Sequence, residues 1–266
     1  MTIISFMTAN YVARHIGYNL TEGWMQGQNA TLAHFAPTET FAARFEEYVR
    51  DIMALGFSAL DLWLPILTPD SDPAKIDAAR AILKQHNIAV TSLAGSAGST
   101  AAELDAACRL ATALGTDVIG GGASFLESDR ASAIAILKAN RVRLGLENHP
   151  EKTPNDLRAR IGDGHEGWLG AAVDTGWFGT QGYDAARALE ELADVLFYVH
   201  LKDVRAVGAH DTCQFGAGVV PIQACVQTLQ RIGYMSAISV EHEPEDRDPS
   251  DEARASLQLL QGWLQA

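Results

Sequence analysis

Short apolar runs alternate along this chain with longer stretches of helical periodicity. Phe41, Phe45, Val49, Ile52 and Leu55 recur at spacings of three and four, which puts them on one face of a helix over Glu39–Leu55. Thr38 is suited to cap its start and Gly56 to take the left-handed stop. A second helix begins at Asp72-Pro73, a cap followed by proline in the first helical position, and ends near Asn87. Helix stops are expected at Gly56, Asn87, Gly115, Asn140 and Gly233. The first four are about 25–31 residues apart, close to one strand, one helix and two connections.

Eight strand-like runs fit this rhythm: ISFMTA, SALDLW, AVTSLA, DVIGGG, RLGLEN, GAAVDT, LFYVHLKD and AISVEH. Continuous apolar runs are what parallel strands buried on both faces require. Eight of them with helices between predict an α/β fold, a single (β/α)8 TIM barrel domain over residues 1–266. An open doubly wound sheet would normally carry a Gly-rich phosphate loop after its first strand, and TANYVARHIGYN contains no GxGxxG. Gly120–Gly122 end the fourth strand without a following Lys-Ser/Thr, so they read as close backbone approach inside the barrel and not as a P-loop. The patternless segments Asn10–Pro37 and Arg205–Val219 both follow strands and belong at the C-terminal mouth, where barrel enzymes place their working loops. His15, Trp24 and His34 in the first of them are candidate lid residues.

Length supports this reading: 266 residues is near the roughly 250 of one such barrel. The net charge of −13, with no Lys/Arg run, sets the chain against nucleic acid as a partner. Three cysteines (Cys108, Cys213 and Cys225) without a CxxC indicate neither a disulfide framework nor a zinc knuckle. Cys108 and Cys225 fall in helical patterns and read as small core residues. The apolar start lacks a basic region and a cleavage site, and no run of about 18 apolar residues offers a membrane span, so the cytoplasm is the default compartment.

In the second half one event repeats four times: an apolar strand ends on a metal-ligand type of residue. RLGL ends in Glu147, GAAV in Asp174, LFYV in His200 and ISV in Glu241. These would be the ends of strands five to eight, and neighbouring strands lie about 4.8 Å apart, so four inward side chains can converge on one cation. Each alone has an ordinary reading, as a helix cap, a loop charge or a hydrogen-bonded structural histidine. Their succession matters, because charge at the edge of a buried parallel strand is costly unless compensated. Three carboxylates and an imidazole suit Mn²⁺, Mg²⁺ or Co²⁺ better than a structural zinc; Zn²⁺ stays open. Such an ion can hold two adjacent sugar oxygens, acidify the C–H between them and stabilise the enediolate, with carboxylates beside it as bases.

With LGLENHP, AAVDTGW, YVHLKDV and ISVEHEPED, the chain resembles the xylose isomerase-like TIM-barrel superfamily, and within it the sugar phosphate isomerase/epimerase group. The likeness runs from about Phe41 to the C-terminus and is densest after Arg141. It implies one divalent metal ion on Glu147, Asp174, His200 and Glu241, Glu147 and Glu241 doubling as an acid/base pair, and a small carbohydrate substrate. A homo-oligomer is common in the family. The chain departs from ketose 3-epimerases at Trp177, Thr153 and Ala206, where that group carries His, Glu and Arg.

Trp177 offers a stacking face for a substrate or packs at the rim. Lys202 and Asp203 are candidates for substrate oxygens or for a surface ion pair. Asp61, ending an apolar run, and His149, two residues past Glu147, are further candidates for substrate contact. His242 and Glu243 are expected to face outward and serve structure. The leading function is a sugar isomerase or epimerase working by proton abstraction next to a carbonyl. The alternative on the same site is a lyase or dehydratase of a keto-sugar, keto-inositol or 3-keto-glycoside. An endonuclease IV-like nuclease is disfavoured, since ALDLW and TSLAG supply no histidine for a zinc cluster. A non-catalytic sugar-binding or regulatory barrel would be favoured if the purified protein bound no metal.

Overall fold

The computed structural model describes residues 2–265. Eight strands close into a parallel barrel: β1 (Ile4–Met7), β2 (Ala59–Trp63), β3 (Ala89–Ser96), β4 (Val118–Gly122), β5 (Arg143–Glu147), β6 (Leu169–Asp174), β7 (Leu196–Leu201) and, after two short strands, β10 (Ile238–Val240). Their order around the barrel is β1-β10-β7-β6-β5-β4-β3-β2. All eight predicted runs are therefore staves of one (β/α)8 barrel. The short strands β8 (Asp203–Val204) and β9 (Thr212–Cys213) pair antiparallel within the connection after β7. Because every barrel pairing is parallel, the C-terminal ends of the staves share one mouth.

Helices cover the staves with their apolar faces, and the main core lies between the two layers. The helix Thr38–Ala54 buries Phe41, Phe45, Val49 and Ile52 as its spacing predicts. Its cap differs from expectation: Pro37 holds the N-cap position and Thr38 is already helical. Asp72 caps Pro73–Gln85 by accepting from the Ala74 amide at 2.8 Å. Asn87, Gly115 and Gly233 take the left-handed stops expected of them. Asn140 does not. Its side chain bonds Ile136 O and Asp105 within the helical frame, the helix runs through it, and Arg141 takes the positive φ of 56° instead. At Gly121 the expected close approach is present: a Cβ there would lie 2.2 Å from the Gly95 carbonyl oxygen of the neighbouring stave. All three cysteines are free and buried. Among the described residues no helix is long and apolar enough to cross a membrane.

The segment after β1 is not patternless. It contains a helix, Trp24–Phe35, whose buried positions are Gly27, Thr31 and Phe35. The i, i+4, i+8 stripe is present but built from a glycine, a threonine and one aromatic, so it carries almost no hydrophobic signal. Gly27 is required by space, since a Cβ would meet Val12 O at 2.5 Å.

This helix is tied to the preceding turn by a stack of His15 on His34, with ring centroids 3.8 Å apart. Burial, then the charges of His34, Arg14 and Arg44, push the His15 imidazole down to about 4. The unfolded chain protonates this histidine below about 6.5, the folded chain only near 4. Its contribution to stability is thus fully present above pH 6.5 and is lost as the pH falls towards 4. Thermal melts between pH 7 and 4.5 should show a shallower loss of Tm in His15→Phe than in the wild type. Equal slopes would remove His15 from the acid response.

Candidate active site

The four strand-end residues meet. Glu147 closes β5, Asp174 closes β6, His200 lies in β7 and Glu241 follows β10 directly. Asp174 and His200 are register partners across adjacent staves. One ligand atom from each of the four lies within 4.8 Å of all the others. Asp174, His200 and Glu241 are buried, and Glu147 is half-buried towards the cavity.

His200 is held from both sides. Its Nε2 faces Asp61 Oδ2 at 2.8 Å, and Asp61 Oδ1 accepts a hydrogen bond from Ser92 at 2.6 Å. Its Nδ1 faces Glu147 Oε1 at 3.0 Å and Glu241 Oε2 at 3.1 Å. Burial disfavours a charged imidazole, but Glu241, Asp61 and Glu147 more than reverse this and keep the ring protonated well above its ordinary value. Asp61 is fully buried and does not line the cavity. The expectation that it meets substrate is corrected: its carboxylate is consumed in orienting His200. A carboxylate on the far nitrogen fixes which nitrogen faces a ligand. Asp61→Asn is accordingly expected to weaken divalent-metal affinity about 10–100-fold with the fold intact. Competition against a fluorescent chelator measures this, and unaltered affinity would refute the orienting role.

Asp174 divides its carboxylate. Oδ1 accepts from the amides of Gly176 and Trp177 at 2.7 and 3.3 Å, capping the helix Thr175–Thr180, while Oδ2 receives Lys202 Nζ at 3.1 Å. Burial raises its pKa to about 7 against the opposing pull of Lys202. Asn148 positions it: the amide group donates to Asp174 O at 3.0 Å and accepts from Asp174 N at 2.8 Å, bridging the ends of β5 and β6 where the strand ladder stops. Sequence reasoning passed over Asn148, although it stands beside Glu147 in the same strand end.

Lys202 is buried at the centre of the acids, 2.9 Å from Glu241 Oε1 and 3.1 Å from both Asp174 and Glu243. For Glu241 burial pushes the carboxyl up, but Lys202 and His200 outweigh it and hold the group below its ordinary value. For Glu243 burial wins, and its carboxyl is raised well above the usual range. Glu243 therefore faces the site, contrary to the outward position expected of it. The missed signal is the alternation Glu241, Glu243, Glu245 after β10, all three of which line the cavity. His242, on the other side, serves structure as expected: it is fully buried against Thr212 and Glu252. Asp203 is also corrected. It lies outside the cavity, and its carboxylate accepts from the amides of Gly216, Gly218 and Val220 at 2.9–3.0 Å, which folds the connection after β7.

The cluster floors a cavity of about 540 Å³ at the mouth of the barrel. Trp177 stands on one wall, flanked by His149 at 3.8 Å and His210 at 4.9 Å between ring centroids. Trp24 and Trp63 meet edge-on at 5.8 Å on another. Of the candidate lid residues, Trp24 alone lines the cavity, whereas His15 and His34 anchor its helix.

A divalent ion fits these residues. Glu241 Oε2 is buried without a hydrogen-bond partner, although His200 Nδ1 lies 3.1 Å away. An oxygen left in that condition costs free energy that a cation would recover. Donor separations up to 4.8 Å are also close to twice a metal–ligand bond of about 2.1 Å.

A family profile described as xylose isomerase-like TIM barrel matches residues 49–263. The chain belongs to that family. No curated protein matches this family member in sequence closely enough to count as a relative. Among solved structures, L-ribulose 3-epimerase superposes with a TM-score of 0.73 at 15% identity, covering 100% of this chain and 95% of that one. D-allulose 3-epimerase from Methylomonas sp., in complex with D-allulose, gives 0.69 at 15% identity over 98% and 96%. The probable 3-DHS dehydratase AsbF from Bacillus anthracis gives 0.65 at 13% over 98% and 99%. At these identities the superpositions establish a shared barrel.

Proposed function

We propose that this xylose isomerase-like barrel is a divalent-metal-dependent sugar isomerase or epimerase. The observation that carries the reading is the convergence of Glu147, Asp174, His200 and Glu241 within 4.8 Å at the base of a sugar-sized cavity. A bound divalent ion would polarise the carbonyl and hydroxyl oxygens of a ketose, so that the C–H between them becomes acidic. Glu147 and Glu241 flank His200 Nδ1 at 3.0 and 3.1 Å, and one removes the proton while the other returns it. Lys202 supplies a fixed positive charge beside Glu241, which compensates negative charge gathering on the substrate oxygens. Trp177 and the Trp24–Trp63 pair exclude water and take the C–H face of the sugar. The fold neighbours named as 3-epimerases agree with this reading. The one named as a probable dehydratase keeps elimination as the second reading, since the same base with a β-leaving group would expel it.

Elemental analysis of the purified protein, followed by incubation with a panel of ketoses in D₂O, tests the proposal. The expected result is about one divalent ion per chain and deuterium at the carbon next to the carbonyl, abolished by chelation. Loss of a group from the substrate would move the chain to the lyases. A protein that binds no divalent ion and exchanges no proton would end the enzymatic reading.

A further inference from the structure

The cavity's charges and walls bear on which sugars it admits. Four glutamates line it, Glu147, Glu241, Glu243 and Glu245, and Asp174 lies beneath them. Among the described residues lining it the only Lys or Arg is Lys202, and its ammonium is already held by Asp174, Glu241 and Glu243 at 2.9–3.1 Å. Five carboxyl groups thus stand around one lysine. The glycine amides at the cavity wall are not grouped as an anion cradle would need. The Gly176 amide is taken by Asp174, and Gly95 and Gly120 lie in paired strands. A phosphate or carboxylate entering here beyond the metal cluster would lose its water and meet no unpaired Lys or Arg among the lining residues.

Apart from Gln28, Thr180, His149 and His210, the remaining wall is apolar. Trp63 ends β2, which lies four staves from β6, so it faces Trp177 across the mouth. Trp24, Met7 and Ala94 extend the Trp63 side. A neutral sugar ring or chain can put its C–H face on such a surface, whereas a charged end would be stranded against it.

We propose that the site selects uncharged sugars and rejects sugar phosphates and sugar acids, with the tryptophan-lined end taking the part of the substrate distal to the metal cluster. This deepens the isomerase reading and rests on it for the orientation of the substrate, though the charge preference is read from the cavity itself. The test is equilibrium binding of matched pairs to the metal-loaded protein: D-fructose and D-tagatose against their 6-phosphates, by calorimetry and by quenching of tryptophan fluorescence. Each phosphate is expected to bind at least ten-fold more weakly than its free sugar. Glu245→Gln, at the exposed rim, should narrow the gap, and Trp24→Ala should weaken the free sugars several-fold. Phosphates that bind as tightly as the free sugars, or a panel in which no free sugar binds, would overturn the proposal. A preference for free sugars without any deuterium exchange would instead remove the isomerase reading and leave the selectivity standing.

Discussion

Glu241→Gln is expected to lower the rate of substrate proton exchange by at least about a thousand-fold while the barrel stays folded. Glutamine keeps the shape of the side chain but brings no negative charge and no basic oxygen. Two losses coincide. The proton acceptor proposed for one face of the sugar is gone, which for a positioned general base is worth about 10²–10⁴. Glu241 Oε2, the buried oxygen without a hydrogen-bond partner, also ceases to be a strong metal donor. Measuring kcat/KM for deuterium exchange alongside metal content separates the two. If saturating metal restores affinity but not rate, the base is the dominant loss. Circular dichroism should be unchanged, because Lys202 keeps Asp174 and Glu243 as partners. A variant with wild-type rate and metal content would remove Glu241 from both roles.

Lys202→Met carries the largest expected effect on stability. Its ammonium is the shared partner of three nearly buried carboxylates, Asp174, Glu241 and Glu243. Removing one member of a buried ion pair leaves an uncompensated charge and typically costs about 3–5 kcal/mol. Methionine fills a similar volume, so the loss is electrostatic and not a cavity. Chemical denaturation in the presence of a chelator should show the full destabilisation. Added divalent ion should recover more stability in the variant than in the wild type, since it takes over the neutralising role. Equal denaturation midpoints in chelator would mean that the acids are already neutral without the lysine.

The staves were legible because burial on both faces forces continuous apolar runs, and the four strand-end ligands stood out as charges placed where charge is expensive. The helix Trp24–Phe35 was not legible, because it docks through Gly27 and Thr31 and so lacks an apolar stripe. Asp61 and Asp203 were read as candidate substrate contacts, because sequence cannot distinguish a carboxylate that meets substrate from one consumed by a histidine or by three amides. Glu243 was misplaced for another reason: period-two alternation past β10 returns it to the side of Glu241, yet it was expected to face outward together with His242. Arg141 in a left-handed conformation has no signature in residue type, because Asn140 before it is the better candidate on chemistry alone.

The split employment of Asp174 bears on ionic radius. With Oδ1 committed to two amide hydrogens, that side chain has only Oδ2 to offer the cavity, so it cannot grip an ion with both oxygens. Large cations such as Ca²⁺ draw on bidentate carboxylates to reach six to eight oxygens, whereas Mg²⁺ and the small transition ions are content with single contacts. Were the proposed ion held there, the turn that begins the Thr175–Thr180 helix would favour small ions over large ones: a local backbone requirement, far simpler than catalysis, would narrow the choice of element.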